Sequence, residues 1–464
     1  MTPLRDYQGR AVEAVSAAAR SGKRRVCLVA PTGSGKTRMG VEFVRRAVEK
    51  GRRVLWVCHR SELVNQAIDA ARQHVGVLSA GVVKPGPLPS ASLLVGTVQT
   101  LVNRGPERVA DLVVWDEVHH AVAEYWKQAL APYEGAHVIG LTATPERSDG
   151  APLGDLFEAL VVAAQYSELM AAGCLVPCKT FRPDDDLGRD LALEPLEAYQ
   201  RLSPGKQGFL FAGSVSAAMR YAEQFTAAGF PSACIEAGTP KQERERSLAE
   251  FKAGRLRMLM NVFVLTEGVD VPAAEVCVLA RNPGHASTYL QMVGRVLRPA
   301  PGKTHGLLVD LCGSSWKHGL PGSDLEYSLD GKAIRVAGSE AEKDEEGDDE
   351  REGAPAVKVW NRALQEVYAG EETPAAAKAE EWKRLRSFAE RRKWDIGWAV
   401  KEYRKLFHTN PPDLGVDGDV AMRSSFRQLQ ARGRAAGHKP AWAAVMFKAR
   451  FGTWPPRSWS MEAA

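Results

Sequence analysis

Two short segments carry residue types that could bind and hydrolyse a nucleoside triphosphate. The first, Ala-Pro-Thr-Gly-Ser-Gly-Lys-Thr at Ala30–Thr37, follows an apolar run, Val26–Val29, that predicts a buried strand, and it leads into a helix predicted from Lys36. Its glycines let consecutive backbone N–H groups turn toward one anion, although Ala30 stands where a glycine is usual. Lys36 would reach the β- and γ-phosphates, and Thr37 would bind Mg²⁺. The predicted nucleotide contacts here are Thr32, Gly33, Ser34, Gly35, Lys36 and Thr37.

The second segment is Val-Val-Trp-Asp-Glu-Val-His-His at Val113–His120. Leu112–Trp115 predicts another buried strand, so Asp116 and Glu117 fall at its carboxyl end, where open α/β sheets bind their ligands. We expect Asp116 to hold Mg²⁺ and Glu117 to act as the base that polarises the attacking water. An acidic pair alone is usually a solvated loop end. Downstream of a phosphate-binding loop, it makes nucleoside triphosphate hydrolysis the default prediction.

The chain resembles a superfamily 2 helicase of the DExH type, with Asp-Glu-Val-His at 116–119 as its box. The resemblance covers roughly residues 1 to 315 and is closest to RadD-like and type III restriction-like motors. Leu-Arg-Asp-Tyr-Gln at 4–8 resembles the element that reads adenine, with Gln8 as the base contact. The resemblance implies two tandem RecA-like lobes, each a parallel sheet flanked by helices, with ATP and Mg²⁺ between them.

The remaining helicase motifs occur in the family's order. Small hydroxyls and backbone N–H groups in such loops and helix starts can hold phosphates without reading sequence. The segments are His59–Leu63 with Gln66, Gly96–Thr100, Leu141–Pro145, Phe209–Ser214 (motif IV), Thr266–Pro272 (motif V) and Gln291–Pro299 (motif VI). The predicted nucleic-acid contacts are Arg60, Gln66, Thr97, Gln99, Ser214, Gly238, Thr239 and Thr266.

Residues of the second half are expected to complete the ATP site. Arg295 and Arg298 lie one turn apart on a helix predicted to begin near His285, so they would share one face. Pointed across the cleft, they could stabilise charge on the γ-phosphate as arginine fingers, an effect worth about 10³–10⁵ in rate. Gln291 is expected to contact the γ-phosphate or the attacking water. Outside the phosphate-binding loop, the resemblance implies nucleotide contacts at Arg5, Gln8, Gly268 and Asp270.

Composition describes an ordinary globular chain of several domains. Its 464 residues are 45% hydrophobic and 25% charged, with a net charge of +5 that permits a polyanionic partner without requiring one. No apolar run is long enough for a transmembrane helix, and the first residues do not form a secretory signal. The predicted domains are a first RecA-like lobe at 1–181, a linker at 182–205, a second RecA-like lobe at 206–316, an acidic linker at 317–356 and a helical accessory domain at 357–464.

The seven cysteines are scattered and predict no metal site. Cys174 and Cys178 form one Cys-x₃-Cys pair without a second pair nearby, whereas zinc and iron–sulfur sites need about four ligands. This disfavours an iron–sulfur helicase and a zinc-ribbon tail. The pattern fits a reducing, cytoplasmic location.

The C-terminal region changes character. Gly338–Gly353 is dominated by Glu and Asp and predicts a disordered linker. Beyond it, Trp398 and Trp442 belong to an internal repeat of short helices, each closed by Pro-Pro. We expect a separate helical domain that hydrolysis does not need. Its tryptophans could form a core, stack on unpaired bases or dock a protein partner.

These observations predict an ATP-dependent helicase or translocase, with DNA favoured over RNA as its nucleic-acid partner because of the family resemblance. The substrate would be a single strand, a fork or a duplex, and no membrane is involved. The alternatives are an RNA helicase and a motor subunit of a restriction or defence complex that translocates without unwinding. A non-hydrolysing clamp is disfavoured because Lys36, Glu117 and Arg298 are all present.

Overall fold

A computed structural model of the chain describes most of both predicted lobes and part of the C-terminal region. No membrane-crossing helix occurs in these described parts, since none of their helices is long and apolar enough. The described residues are 3–59, 62–75, 79–84, 87–104, 110–120, 128–147, 151–265, 271–331, 334–336, 357–367, 375–391, 396–407, 411, 426, 429–430 and 443–444.

The first lobe is built on a parallel sheet. Its strands are β1 (Arg25–Val29), β2 (Val54–Cys58), β3 (Ala80–Val82), β4 (Leu93–Thr97), β5 (Leu112–Asp116), β6 (His137–Thr142) and β7 (Ala159–Val162). Their order is β3-β4-β2-β5-β6-β1-β7. The central strands are nearly continuous apolar runs because both faces of the sheet are covered. Pairing of Asp116 with Leu141, and of Val29 with Thr142, brings three strand ends to one edge.

The second lobe repeats this plan. Its sheet contains β8 (Cys178–Arg182), β9 (Gly208–Ala212), β10 (Ser232–Cys234), β11 (Met258–Asn261), β12 (Val276–Ala280) and β13 (Gly306–Asp310). A hairpin of β14 (Leu325–Glu326) and β15 (Arg335–Val336) follows, and β16 (Gln365–Val367) then joins the sheet antiparallel to β8. The order is β10-β11-β9-β12-β13-β8-β16. The predicted fold class, two tandem RecA-like α/β lobes, is confirmed.

Helices connect these strands and cover the sheets. Ser214 caps one of them, accepting a 3.2 Å hydrogen bond from the backbone N–H of Ala217. Short 3₁₀ turns include Val118–His120 after β5. The helices are α1 (Asp6–Arg20), α2 (Lys36–Val48), α3 (Glu62–Val75), α4 (Val98–Arg104), α5 (Tyr166–Ala171), α6 (Pro195–Leu202), α7 (Val215–Ala227), α8 (Lys241–Lys252), α9 (Ala286–Gly294), α10 (Ser314–His318), α11 (Ala375–Arg391) and α12 (Ile396–Phe407).

The structure moves the predicted boundary between the lobes. Residues up to 181 were expected in the first lobe, but Cys178–Arg182 pairs with β13 in the second sheet. The predicted linker at 182–205 contains α6, whose Ala198 and Tyr199 are fully buried in the core of the second lobe. Strand-like composition does not reveal which sheet a strand will join, because both sheets offer the same kind of apolar edge.

Part of the predicted accessory domain is built into the second lobe. Strand β16 extends its sheet, and α11 places Glu381 against Arg182 of β8. Trp382 is buried with residues of α12 and with Leu320. This portion is therefore not a separate unit. The acidic stretch 338–353 and most of the second copy of the tryptophan repeat, including Trp442, lie outside the described residues.

Two stretches of chain connect the lobes. The first runs through α5 into β8, and the second returns with the β14–β15 hairpin. The Ser167 backbone N–H donates to Asp324 Oδ1 at 2.8 Å, and the Gly154 N–H donates to the Leu329 carbonyl at 2.8 Å. Tyr327 packs against the cores of both lobes. The hairpin therefore fastens the second lobe to the first beside the initial crossing.

Candidate active site

The phosphate-binding loop has the backbone geometry that an anion site requires. Gly33 and Gly35 have φ of 90° and 80°, a left-handed conformation that favours glycine. A side chain at Gly35 would also lie 2.5 Å from Gln8 Nε2. The Ala30 N–H donates to the Thr142 carbonyl at 2.9 Å, as a continuation of the β1–β6 ladder. Ala30 thus occupies a strand-like position, which needs no glycine.

The element at 4–8 is bound to this loop. The Tyr7 hydroxyl donates to the Ser34 carbonyl at 2.5 Å, and Gln8 Nε2 donates to the same oxygen at 3.0 Å. Gln8 Oε1 accepts from the Arg5 N–H at 3.1 Å, and Gln8 is only 4% exposed. A hydrogen bond that the Arg5 guanidinium donates to the Tyr7 hydroxyl oxygen raises the pKa of Arg5, whose side chain stays charged. The element therefore fixes the position of the loop, a role that the base-contact prediction did not include.

Lys36 and Glu117 join the loop to the acidic box. The Lys36 ammonium forms an ion pair with Glu117 Oε1, and the two side chains are 13% and 18% exposed. Glu117 has φ of 50°, which is uncommon for a residue with a side chain and costs backbone energy. Asp116 lies directly before it at the end of β5, where Asp116 Oδ1 accepts from the Glu117 N–H at 3.1 Å. Glu117 thus meets the loop lysine at the edge of the sheet where Asp116 ends β5.

Neighbouring thiols take no part in this chemistry. Burial, reinforced by the negative charge of Asp116, raises the pKa of Cys58 well above its usual range. Burial also raises the pKa of Cys27 to about 12, against the opposing effect of Lys36. Both thiols therefore stay protonated near neutral pH and are poor nucleophiles.

His119 connects the box to two other motifs. Its Nδ1 lies 3.0 Å from Thr142 Oγ1, and the Thr142 hydroxyl donates to the Thr144 carbonyl at 2.6 Å. Its Nε2 lies 3.1 Å from Nε2 of Gln291 in the second lobe. Glu117 Oε2 is 3.5 Å from His119 Nδ1. One imidazole therefore touches the candidate base, the segment after β6 and motif VI.

Motif VI lies directly on the phosphate-binding loop. A side chain at Gly294 would come within 2.8 Å of Thr32 Cβ, so the glycine allows close approach of the two lobes. A side chain at Gly33 would come within 3.4 Å of Arg298 Cγ. Arg298 therefore lies beside the loop that would hold the phosphates, as expected for a residue that acts across the cleft.

The expectation that Arg295 and Arg298 share a helix face is wrong. Helix α9 ends at Gly294, and Arg295 is its C-cap residue with φ of −64° and ψ of −30°. Arg298 lies beyond the helix and precedes Pro299, whose ring disfavours helical backbone in the residue before it. Arg295 is buried, at 6% exposed, while Arg298 is half-buried at the loop. The two arginines therefore occupy different environments.

The predicted nucleic-acid contacts that the structure describes fall near the carboxyl ends of strands in both sheets. Thr97 ends β4, and its hydroxyl accepts from the Thr100 N–H at 3.3 Å. Ser214 follows β9 as the cap of α7, and Gln66 and Gln99 are exposed on α3 and α4. Beyond β10, the predicted contacts are Gly238, which is exposed, and Thr239, which is partly exposed.

Four predicted site residues fall in segments that the structure does not describe. Arg60, Thr266, Gly268 and Asp270 lie outside the described residues. The sequence prediction in turn gave no role to Tyr7, His119 or Thr142. Each of these lies inside a recognised motif, so its position in the motif was the available signal, while its partner became visible only in the fold.

The chain matches two known families. Residues 1–147 match the family described as type III restriction enzyme, res subunit, and residues 192–300 match the helicase conserved C-terminal domain. The first match contains the phosphate-binding loop and the acidic box, and the second contains motifs IV, V and VI. The chain belongs to superfamily 2 of the ATP-dependent helicases and translocases. Members of this superfamily hydrolyse ATP and act on nucleic acid.

Curated relatives of this superfamily 2 chain come from phage, yeast and archaea. A 51.5 kDa protein of Lactococcus phage (isolate 7-9) is 30% identical over 318 residues, 64% of this chain and 68% of that one. A Schizosaccharomyces pombe protein named as a mitochondrial ATP-dependent helicase, irc3, is 27% identical over 349 residues, 67% of this chain and 57% of that one. The DNA 3'-5' translocase XPB2 of Sulfurisphaera tokodaii is 24% identical over 360 residues, 64% of this chain and 78% of that one.

The fold also resembles that of a solved structure. It resembles a fragment named as an HsdR subunit of a type I restriction enzyme from Vibrio vulnificus YJ016, with a TM-score of 0.55 and 21% identity. The match covers 71% of this chain and 67% of that fragment. The likeness supports the two-lobe architecture. The chain spans little more than half of the yeast relative, so activity and substrate are argued below from its own residues.

Proposed function

We propose that this protein hydrolyses ATP between its lobes and uses the resulting lobe movement to translocate along, or unwind, DNA. The observation that carries the proposal is the contact of motif VI with the nucleotide loop, with Gly294 against Thr32 and Arg298 beside Gly33. A second lobe that contacts the phosphate site can respond to the presence or loss of the γ-phosphate. That response is what a motor needs.

The chemistry divides between the lobes. The Lys36 ammonium would exchange its contact with Glu117 for the β- and γ-phosphates, since both are anionic partners of one cation. Glu117, released from Lys36, would accept a proton from the attacking water. Gln291 would orient that water or the γ-phosphate from the other side, and Arg298 would stabilise the charge that develops on transfer. Buried Arg295 would support this arrangement from within motif VI.

Thr37 and Asp116 would hold the Mg²⁺ ion. A hydroxyl and a carboxylate supply the oxygen ligands that Mg²⁺ prefers, and nucleotide phosphates and waters usually complete its octahedron. The residues fit this mode, because the Lys36–Glu117 pair brings the turn before Thr37 next to Asp116. No group of three or more His, Cys, Asp or Glu side chains in the described part of the chain could hold a metal by itself. When bound, the ion would neutralise phosphate charge.

DNA is the proposed polymer. The first lobe matches a restriction-enzyme family, and one relative is named as a DNA translocase. Residues of both lobes would hold the phosphates of the DNA backbone without reading its base sequence. The described ones are Gln66, Thr97, Gln99 and Ser214. Burial of most thiols, with none of the seven cysteines in a disulfide, is compatible with action in a reducing compartment such as the cytosol.

A motor subunit of a restriction or defence complex is the second candidate, favoured by the match of residues 1–147 to the res-subunit family. Such a motor would pump duplex DNA without separating its strands. A protein partner would then supply any nuclease.

The deciding experiment compares ATPase stimulation by single-stranded DNA, duplex DNA and RNA, with strand displacement measured in parallel. DNA stimulation with displacement supports a helicase. Stimulation by duplex DNA without displacement supports the pumping motor, and stimulation by RNA alone would reject DNA as the substrate. The Lys36→Ala variant is the control for contaminating ATPase.

A further inference from the structure

We propose that Arg182 and Glu381 position motif VI, so that the C-terminal helix α11 helps to set the rate of ATP hydrolysis. Arg182 ends β8, and Glu381 lies on α11. Neither residue belongs to a helicase motif. The inference rests on the role of motif VI proposed above and adds to it two positioning residues and the element that carries one of them.

The Arg182–Glu381 ion pair is almost completely buried. Arg182 Nη2 lies 2.5 Å from Glu381 Oε1, and the side chains are 3% and 1% exposed. Glu381 Oε2 also accepts from Arg384 Nη1 at 3.1 Å. Desolvation largely cancels the attraction of a buried pair, so such pairs fix geometry more than they add stability. Removing the Glu381 carboxylate would leave the buried Arg182 guanidinium without its anionic partner, so Glu381 controls where that guanidinium rests.

Arg182 also holds α10. Its guanidinium carbon lies 3.6 Å from the centre of the Trp316 ring, a cation–π contact made away from water. The Trp316 indole N–H donates to the Pro183 carbonyl at 3.1 Å. The end of β8 therefore holds Trp316 at its ring face and at its indole N–H. Glu381 in turn fixes the position of the Arg182 guanidinium.

Helix α10 in turn contacts α9, which carries Gln291. The Tyr289 hydroxyl donates to the Gly319 carbonyl at 3.0 Å, and its ring lies 5.3 Å from His318. His318 Nε2 lies 2.7 Å from the carbonyl of Pro283, just before α9. A shift of α10 would therefore move both the start of α9 and the turn that carries Gln291.

The short helix α10 behaves as a rigid connector because its amino end is fully capped. The buried Asp310 carboxylate accepts from the N–H groups of Gly313, Ser314 and Ser315 at 3.0, 3.0 and 2.7 Å. Five residues with a capped start and contacts on two sides have little freedom to deform. Displacement at Trp316 is thus transmitted to Tyr289.

Helix α11 is anchored over residues 381–391, so it can serve as the fixed end of this chain of contacts. Arg384 Nη1 donates to the Glu366 carbonyl at 3.4 Å. Arg391 Nη1 lies 3.2 Å from Asp184 Oδ2. A ligand or partner that displaced α11 would withdraw Glu381 from Arg182 and loosen motif VI.

The test uses the full chain with Glu381→Gln, which keeps the shape of the side chain but removes its charge. Glu390→Gln, at an exposed position on the same helix, is the matched control. The ATPase rate is divided by the number of nucleotides bound per protein chain. Unfolded molecules, which bind no nucleotide, then do not lower the measured kcat. We expect about a tenfold lower kcat per bound nucleotide for Glu381→Gln with ATP affinity nearly unchanged, because motif VI acts in the transition state. Glu390→Gln should match the wild type.

A second variant guards against misfolding of the first. Trp316→Phe keeps a ring for Arg182 but loses the hydrogen bond to Pro183, and we expect a several-fold lower kcat at constant ATP affinity. Equal loss of binding stoichiometry and activity in both variants, with normal turnover per bound nucleotide, would reduce the pair to a structural role.

The Arg298→Ala variant distinguishes the positioning role of Arg182 and Glu381 from the proposed role of motif VI. If it loses turnover while Glu381→Gln and Trp316→Phe do not, only the positioning inference fails. If Arg298→Ala turns over normally, the proposed role of motif VI itself is wrong.

Discussion

Gln291 of the second lobe donates a hydrogen bond to His119 of the first, with the two nitrogens 3.1 Å apart. The donor can be assigned from the surrounding bonds. The Thr142 hydroxyl gives its proton to the Thr144 carbonyl, so Thr142 Oγ1 can only accept from His119 Nδ1. In the neutral ring, Nε2 then carries no proton and accepts from the Gln291 amide. The contact between the lobes therefore depends on one histidine tautomer.

A double-mutant cycle tests this contact. His119→Ala and Gln291→Ala should each lower turnover, and the double variant should be little worse than either single one, because both remove the same bond. We expect a coupling energy of about 0.5–3 kcal/mol in the ATPase rate. Effects that simply multiply would mean that the two side chains act independently.

Lys36→Ala and Glu117→Gln should both abolish hydrolysis for different reasons. Loss of Lys36 removes a phosphate-binding charge and should weaken ATP binding. Loss of the Glu117 carboxylate removes the base, worth about 10²–10⁴ in rate, and should leave ATP bound with the lobes closed. Fluorescent-nucleotide binding beside steady-state ATPase distinguishes them. Wild-type hydrolysis by Glu117→Gln would refute the base assignment.

The two motif VI arginines should differ. Arg298 lies beside Gly33, so Arg298→Ala should lower kcat by about 10³-fold or more with little change in ATP affinity. Arg298→Lys should recover only part of this loss, because an ammonium lacks the planar fork of a guanidinium. Arg295→Ala removes a buried side chain and should also lower the melting temperature. A melting temperature that falls equally in both alanine variants would contradict this distinction.

His318 predicts a loss of stability in mild acid. Burial lowers the pKa of His318 from 6.5 to about 4, although its hydrogen bond to Pro283 opposes the shift. Above pH ~6.5 the His318 side chain is neutral in both the folded and the unfolded state, so its protonation costs no stability there. Between pH ~6.5 and ~4 only the unfolded state binds the proton, which costs up to about 3 kcal/mol of stability.

Urea unfolding at pH 7.5 and 4.5 measures this effect. His318→Gln should flatten the pH dependence relative to wild type, whereas His305→Gln, at a half-buried histidine whose pKa is lowered less, should change it much less. Equal slopes for wild type and His318→Gln would show that His318 does not carry the effect.

Local patterns predicted the strands and the glycine conformations beside the phosphate-binding loop. Val26–Val29 and Leu112–Trp115 are continuous apolar runs because helices cover both sheet faces, and each observed strand extends the predicted one by a single residue. Gly33 and Gly35 were predictable for a similar reason, since their left-handed backbone favours one residue type.

Contacts between distant segments could not be predicted in this way. Arg182 and Glu381 are 199 residues apart, and nothing near either one indicates a buried partner. The helix that carries motif VI ends at Gly294, before both arginines, and the sequence offers only Pro299 as a nearby sign that Arg298 is not helical. To predict that Cys178–Arg182 joins the second sheet, one would need to know which of the two sheets had an open edge.

The paired crossings between the lobes have a mechanical consequence. A single connection would leave the second lobe free to tilt and twist about one point, whereas the bond between Ser167 and Asp324 joins two connections side by side. Two joined connections leave one easy degree of freedom, a rotation about the line between them. The lobes would then separate and return along a single path, bringing Gly294 back onto Thr32 in the same register after every cycle. The length of each step along the polymer would be set by the radius and angle of that rotation.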